Sequence, residues 1–239
     1  MRSARNNDQT QRSQSVARSP ARSALKRPGK DTVKTLPREF YNRPTLQVAE
    51  DLLGKVLIHR TARGVTSGRI VEVEAYIGES DPACHAAPGP TRRNQPLYGP
   101  PGYAYVYLNY GIHCLVNVVT EAEGLPAAIL IRALEPLEGV ALMRCRRARR
   151  GKGVPGAVGI PDEALCRGPG NLARAMAITR GQNREDLCGH RLYIEERRRS
   201  IAPIAWTPRI GITVGTEHHW RAHIVGSKAV SGRAKGNEE

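Results

Sequence analysis

The chain has 239 residues, 40% of them hydrophobic, which is enough for one large domain or two small ones with a buried core. No apolar run reaches the ~18 residues that a membrane-spanning helix needs, and no signal-peptide core follows Met1. The formal net charge of +15 indicates a polyanionic partner, either nucleic acid or an acidic membrane surface, unless the charge only keeps the chain in solution.

The first 35 residues differ in composition from the rest of the chain. They are rich in Arg, Ser, Gln and Asn and poor in apolar side chains, so burial would not offset the entropy lost on ordering them. We expect a disordered basic arm over 1–35, a folded domain over 36–231 and a flexible tail over 232–239. The arm either adds non-specific phosphate contacts or is dispensable.

Hydrophobic periodicity predicts strands that follow one another without regular helical crossovers. We therefore expect an α+β fold: a single compact domain around a curved, mostly antiparallel β-sheet with flanking helices. In chain order the predicted elements are a helix over 45–53, strands over 55–59 and 68–77, a Gly/Pro-rich loop over 78–102, strands over 103–108 and 112–119 joined by a turn, a strand over 127–134, a helix over 135–150, a loop over 151–165, a helix over 171–178 and late strands over 191–195 and 209–214.

The strand predicted over 68–77 carries two glutamates and a tyrosine on one face. Glu72, Glu74 and Tyr76 alternate with apolar side chains and therefore point to the same side of the strand. One explanation of this pattern is that these three side chains form the solvent-exposed face of an ordinary strand. A glutamate that points inward and meets an arginine would instead stay ionised, as a base that activates water must.

A single arginine interrupts the apolar strand AAILIRAL. This residue, Arg132, must be paired or aimed into a polar cavity if it is buried, because an isolated buried charge is costly. We expect it either to meet Glu72 or Glu74, or to reach solvent at the edge of the strand.

Six of the eight tyrosines fall between residues 76 and 110. Tyr103, Tyr105 and Tyr107 recur at period two, so they line one side of a strand, and Tyr110 lies in the predicted turn beside a glycine. Cross-strand aromatic packing explains any one of them. Together they also suit a surface that stacks nucleobases, with the turn tyrosine as a wedge between base pairs.

Four ordered segments resemble the alkyladenine, or 3-methyladenine, DNA glycosylase family. They are GRIVEVEAYIG, YAYVYLNYGIHCLVNV, ILIRALEPLEG and LCRGPGNLARAM, and the late segment TPRIGITVG fits the same pattern. The resemblance covers about residues 36–231. It implies a base-excision-repair enzyme that flips alkylated or deaminated purines (3-methyladenine, 7-methylguanine, hypoxanthine or ethenoadenine) out of duplex DNA and hydrolyses the N-glycosidic bond. No lysine is among the matched catalytic positions, so the resemblance implies a monofunctional enzyme that leaves an abasic site.

The resemblance also implies roles for individual residues and favours Glu74 over Glu72 as the general base. These roles are water activation by Glu74, support of that water by Arg132, stacking of the flipped base by Tyr76, His85 and Tyr107, rejection of the guanine amino group by Asn117, pocket or water-site contacts by Leu130 and Ile210, and filling of the vacated gap by Tyr110.

Four further residues, and the basic run over 144–150, are candidates for contact with the DNA backbone. Arg92, Arg93 and Arg167 supply positive charge. Gly170 opens a predicted helix, whose N-terminus would bind a phosphate. A solvated face is the alternative explanation for each of them.

We expect neither a metal nor another cofactor. His219 and His223 are four residues apart, but no Glu or Cys arrangement accompanies them, and hydrolysis requires no nucleotide motif. Five cysteines without a CxxC pair are typical of free thiols in a reducing cytoplasm. We expect a cytoplasmic protein, associated with the nucleoid in a bacterium, or a nuclear protein in a eukaryote.

The expected partner is double-stranded DNA that contains damaged purines; we expect no membrane partner and a monomeric protein. A second hypothesis is a non-catalytic nucleic-acid-binding protein of the same fold, in which Glu74 and Arg132 form a structural ion pair. A third, a basic peripheral membrane protein, lacks a suitable amphipathic helix with bulky apolar anchors.

Overall fold

The computed structural model describes residues 35–148, 159–196 and 202–232. All of them belong to one compact unit of the chain. Of the arm predicted over 1–35 and the tail predicted over 232–239, only Thr35 and Gly232 fall within these ranges, so both predictions lie outside the described residues. No helix within these ranges is long and apolar enough to cross a membrane.

Strands dominate the described part of the chain. The elements in chain order are α1 (Arg38–Tyr41), α2 (Thr45–Leu52), β1 (Val56–Thr61), β2 (Gly64–Ile77), a 3-10 helix (Gln95–Tyr98), β3 (Ala104–Asn109), β4 (His113–Val119), β5 (Ala127–Glu138), α3 (Val140–Ala148), a 3-10 helix (Asp162–Ala164), α4 (Pro169–Met176), a 3-10 helix (Arg180–Gln182), β6 (Leu192–Glu195), β7 (Ile204–Thr207) and β8 (Arg221–Ile224).

The strands form one curled sheet with antiparallel pairing throughout. Its order is β3-β4-β5-β2-β1-β6, and β8 pairs with both β2 and β7. The α+β fold with a curved, mostly antiparallel sheet is therefore confirmed. Strand β2 is central, because β5 lies along one of its edges while β1 and then β8 pair with the other. Its register against β5 shifts on both sides of Glu72, and such bulges bend a strand.

Helices α2 and α4 cover the sheet, α2 against β2 and β5 and α4 against β4 and β5. The apolar side of α4 is buried at Leu172, Ala173 and Met176. Near the start of α4, a Cβ added to Gly170 would lie 2.9 Å from the ring of His113. Glycine at this position therefore lets the helix start pack directly against β4, close to the hairpin that joins β3 and β4.

Two predicted elements were wrong. The helix predicted over 135–150 begins only at Val140, because β5 continues through Glu138 in register with β2. The chain then turns at Gly139, which has φ +72° and no room for a side chain against the carbonyl oxygen of Val65. The strand predicted over 209–214 is absent, because this segment bonds to β2 through side chains; the short strands β7 and β8 flank it instead.

Candidate active site

Glu74 and Arg132 meet at the centre of the sheet. Arg132 Nη1 donates to Glu74 Oε2 over 3.0 Å, and Arg132 Nε donates to Glu72 Oε1 over 3.0 Å. Both glutamate side chains are 0% exposed and that of Arg132 is 8% exposed. The alternatives of a solvated glutamate face and a solvent-reaching arginine at a strand edge are therefore wrong.

The Glu74 carboxylate is held by donors from three parts of the chain. Besides Arg132, the Tyr76 hydroxyl donates to Oε2 over 2.9 Å, and the Ile210 N–H donates to Oε1 over 2.7 Å. An ionised carboxylate offers about four acceptor positions. Oε2 thus accepts two hydrogen bonds and Oε1 accepts one from the described residues, which leaves an acceptor position on Oε1.

Glu72 organises a second network behind Arg132. It accepts hydrogen bonds from Arg221 Nε (2.7 Å), the Ser231 hydroxyl (2.9 Å) and the Ser231 N–H (2.6 Å). Burial alone would raise the pKa of Glu72, but the charges of Arg132 and Arg221 and the Ser231 hydrogen bond lower it overall. Sequence reasoning missed Arg221 and Ser231, since neither stands in a pattern that distinguishes it from ordinary strand and loop residues.

A cavity of about 380 Å³ opens beside this network. Glu74 lies behind its wall and bonds to three residues that line it. The lining includes eight residues predicted for the site, namely Tyr76, His85, Tyr107, Tyr110, Asn117, Leu130, Arg132 and Ile210; the others are Ala83, Cys84, Leu97, Tyr105, Asn109, Leu115, Ala128, Pro169, Gly211 and Ile212.

Aromatic rings form one side of the cavity. The ring centroids of His85 and Tyr107 are 4.4 Å apart, and those of Tyr105 and Tyr107 are 5.3 Å apart. His85 Nδ1 is hydrogen-bonded to the Tyr105 hydroxyl at 2.9 Å. Burial, with the charge of Arg93, lowers the pKa of His85, and burial raises the pKa of Tyr105 to about 12. At neutral pH this wall therefore consists of uncharged rings.

The neighbouring strands β4 and β5 contribute another part of the lining. Asn117 and Leu130 are direct cross-strand partners, so their side chains lie next to each other. Asn117 Nδ2 donates to the Tyr105 carbonyl over 3.0 Å, which fixes the orientation of the amide. The structure thus brings the predicted pocket residues together around one cavity.

Tyr110 stands at the tip of the β3–β4 hairpin and lines the cavity mouth. The residue is 84% exposed. Tyr110 and Gly111 have φ of 48° and 68°, and the Ile112 N–H donates to the Asn109 carbonyl over 3.1 Å. A tyrosine in the left-handed region costs roughly 1–2 kcal/mol. Such strain at an exposed tip points to a functional role rather than a packing role.

The candidate backbone-contact residues occupy different environments. Arg92 and Arg93 are exposed, and the Arg93 guanidinium lies 6.0 Å from the ring of Tyr107, beside the cavity. Arg167 is half-buried, and its guanidinium donates to the Lys228 carbonyl, so this side chain also holds two parts of the chain together. Across residues 35–148, 159–196 and 202–232, no group of three or more His, Cys, Asp or Glu side chains is placed to hold a metal ion.

Comparisons of this chain with a protein-family model and with known proteins agree on its family. The model of the methylpurine-DNA glycosylase (MPG) family matches residues 39–228. A relative from Methanocella arvoryzae is 46% identical over 206 residues, which is 84% of this chain and 98% of the relative. A second, from Chlorobaculum tepidum, is 44% identical over 203 residues, or 83% of this chain and 91% of the relative. Both are provisionally named 3-methyladenine DNA glycosylases. This chain belongs to the methylpurine-DNA glycosylase family, whose members are hydrolases that act on N-glycosyl bonds.

Proposed function

We propose that the protein is a monofunctional DNA glycosylase that flips alkylated or deaminated purines from duplex DNA and hydrolyses their N-glycosidic bond with a water activated by Glu74. The observation that supports this proposal most strongly is the position of Glu74. Its buried carboxylate is fixed by Arg132, Tyr76 and Ile210 directly behind an aromatic-walled cavity.

The Glu74 carboxylate has two uses in this reaction. Cleavage of an N-glycosidic bond passes through an oxocarbenium-like state, so positive charge develops at C1′. Oε1 keeps an acceptor position through which it orients the attacking water, and its negative charge stabilises the developing cation. Arg132, bonded to Oε2, holds the carboxylate in place and supports that water.

The aromatic cavity provides the site for the flipped base. Tyr76, His85 and Tyr107 stack the purine, and Asn117 beside Leu130 disfavours the amino group of normal guanine. Purines alkylated at N3 or N7 already carry positive charge and leave with little help from an acid, whereas hypoxanthine and ethenoadenine need protonation. Flipping costs least for bases that pair badly, which adds selectivity for damage.

No lysine lines the described cavity, which supports simple hydrolysis without a strand-cleaving lyase step. The cavity and the hairpin tip both belong to a single chain, and on that ground we propose that the protein acts as a monomer. The proposed contacts with the DNA backbone are the exposed Arg92, the exposed Arg93 beside the cavity, Arg167 and the α4 start at Gly170.

Base excision from defined duplexes tests the proposal. We expect the protein to release 3-methyladenine, 7-methylguanine, hypoxanthine or ethenoadenine under single-turnover conditions and to leave an abasic site that breaks only after alkali treatment. Chromatography of the released base and gel analysis of the strand measure both products. Duplexes that stay intact with every lesion, in enzyme excess, would contradict the proposed function.

Tyr110→Ser should weaken binding to flipped lesions. The serine cannot fill the gap left in the base stack, so the flipped state loses contact worth about 1–3 kcal/mol, or roughly 5- to 150-fold in affinity. Fluorescence anisotropy with a lesion duplex measures the loss. Leu125→Ser is the matched control, because Leu125 is also an exposed apolar residue (56%) but does not line the cavity. Equal affinities for Tyr110→Ser and Leu125→Ser would argue against the wedge.

A further inference from the structure

Asp81 and Arg209 form a fully buried ion pair that the predicted site did not include. Arg209 Nη1 donates to Asp81 Oδ2 over 2.6 Å, and Nη2 donates to Oδ1 over 2.8 Å, so the two groups meet in a two-pronged arrangement. Both side chains are 0% exposed. Such a pair gives little net stability compared with apolar packing, since both charges must leave water. Its place beside the cavity therefore calls for another explanation.

The pair joins three segments of the chain. Arg209 also donates to the carbonyls of Ala75 (3.1 Å) and Gly215 (3.2 Å), and Asp81 Oδ1 accepts from the Ala83 N–H over 3.0 Å. The end of β2, the loop after it and the segment that follows β7 are thus tied to one another. Each of these segments contributes cavity-lining residues.

Two features of the cavity wall depend directly on Arg209. Its guanidinium carbon lies 4.7 Å from the centroid of the Tyr76 ring and 5.1 Å from that of Trp220, so it backs the ring that lines the cavity. The next residue in the chain is Ile210, whose N–H donates to Glu74 Oε1. Displacement of Arg209 would therefore shift a ring of the wall and a donor to the carboxylate together.

We propose that Arg209 and Asp81 are positioning residues that hold the Ile210 N–H against Glu74 and the Tyr76 ring at the cavity wall, and so set the rate of base excision rather than the affinity for DNA. This inference rests on the role proposed above for Glu74. The planar guanidinium supplies the two-pronged bond, the carbonyl contacts and the ring contact at once, which the ammonium of lysine cannot do.

The chain offers a matched control in a second pair of the same construction. Arg38 Nη2 donates to Asp186 Oδ1 (2.9 Å) and Oδ2 (2.8 Å), Nη1 donates to the Pro101 carbonyl (2.6 Å), and the guanidinium carbon lies 4.7 Å from the ring centroid of Tyr103. Neither member of this pair lines the cavity or contacts Glu74. Its side chains are 34% and 42% exposed, so its loss should cost less stability.

The test compares Arg209→Lys with Arg38→Lys. Misplacement of a catalytic group by about 1 Å can cost about 100-fold in rate, so we expect Arg209→Lys to slow single-turnover excision by about that factor. Its dissociation constant for an undamaged duplex should stay within about threefold of wild type, because the hairpin tip and the exposed arginines are unchanged. Arg38→Lys should excise within about twofold of the wild-type rate. Thermal melting establishes that each variant is folded at the assay temperature.

Three outcomes would overturn the inference. The first is that Arg209→Lys excises the base at the wild-type rate. The second is that Arg209→Lys and Arg38→Lys lose the same factor in rate. The third is that Arg209→Lys loses only affinity for DNA. If Arg209→Lys does not fold, the same criteria apply to Asp81→Asn, which keeps one acceptor oxygen and removes the charge. Failure of the proposed function is separate, because it appears as absence of excision by the wild type or as full excision by Glu74→Gln.

Discussion

We expect Glu74→Gln to lower the single-turnover rate of base excision by about 10²–10⁴-fold, the range associated with loss of a positioned general base. Glutamine has nearly the same shape as glutamate and still accepts the Ile210 N–H or the Arg132 guanidinium with its amide oxygen. It carries no negative charge, so it neither deprotonates water nor stabilises the cation at C1′. The measurement is release of base from a lesion duplex at saturating enzyme.

Glu72→Gln is the control for this substitution. Glu72 lies two residues away on the same strand, is equally buried and bonds to the same Arg132, but its other partners are Arg221 and Ser231 behind the wall. We expect Glu72→Gln to lower the free energy of unfolding while it retains far more excision than Glu74→Gln. The reverse order of rates would assign the general base to Glu72 and overturn the proposed mechanism.

The sequence predicted the two strands that carry Glu74 and Arg132 but only part of what surrounds them. The alternation in β2 and the single arginine in the apolar strand β5 suggested that Glu72 or Glu74 meets Arg132. The structure shows that both glutamates do. Periodicity did not decide between the glutamates, because residues two apart in a strand lie on the same face. The family resemblance selected Glu74, and the cavity lies on the Glu74 side of the network.

The remaining contacts were outside the reach of local patterns because they join distant parts of the chain. Asp81 stands 128 positions before Arg209, and Glu72 stands 159 positions before Ser231. Alternating apolar residues led to the prediction of a strand over 209–214. In the structure Ile210 and Ile212 instead line the cavity, and a side-chain carboxylate accepts the Ile210 N–H. Period two thus marked a segment that bends around a site rather than pairing in the sheet.

Arg132→Gln should lower the free energy of unfolding by about 3–5 kcal/mol at neutral pH, the usual cost of removing one partner from a buried ionic network. The neutral side chain leaves Glu72 and Glu74, both 0% exposed, without the guanidinium between them. Arg132→Lys is the control, since it keeps the positive charge and should lose less. Urea denaturation of the three proteins measures the differences.

The stability gap between wild type and Arg132→Gln should depend on pH in a defined direction. In the wild type, burial alone would raise the pKa of Glu72, but Arg132 and the other donors hold it below its ordinary value of 4.5. The ionised carboxylate therefore contributes stability above pH 4.5 that is lost as the pH falls through the depressed pKa. Without the Arg132 charge this pKa rises, so Glu72 becomes protonated at a higher pH in the variant than in the wild type. Once it is protonated, the variant no longer bears the cost of that buried charge. The gap should be largest at neutral pH and shrink as the pH falls from the raised Glu72 pKa of the variant to the depressed Glu72 pKa of the wild type; a gap that stays constant from pH 7 to pH 4 would contradict the part assigned to the Glu72 charge.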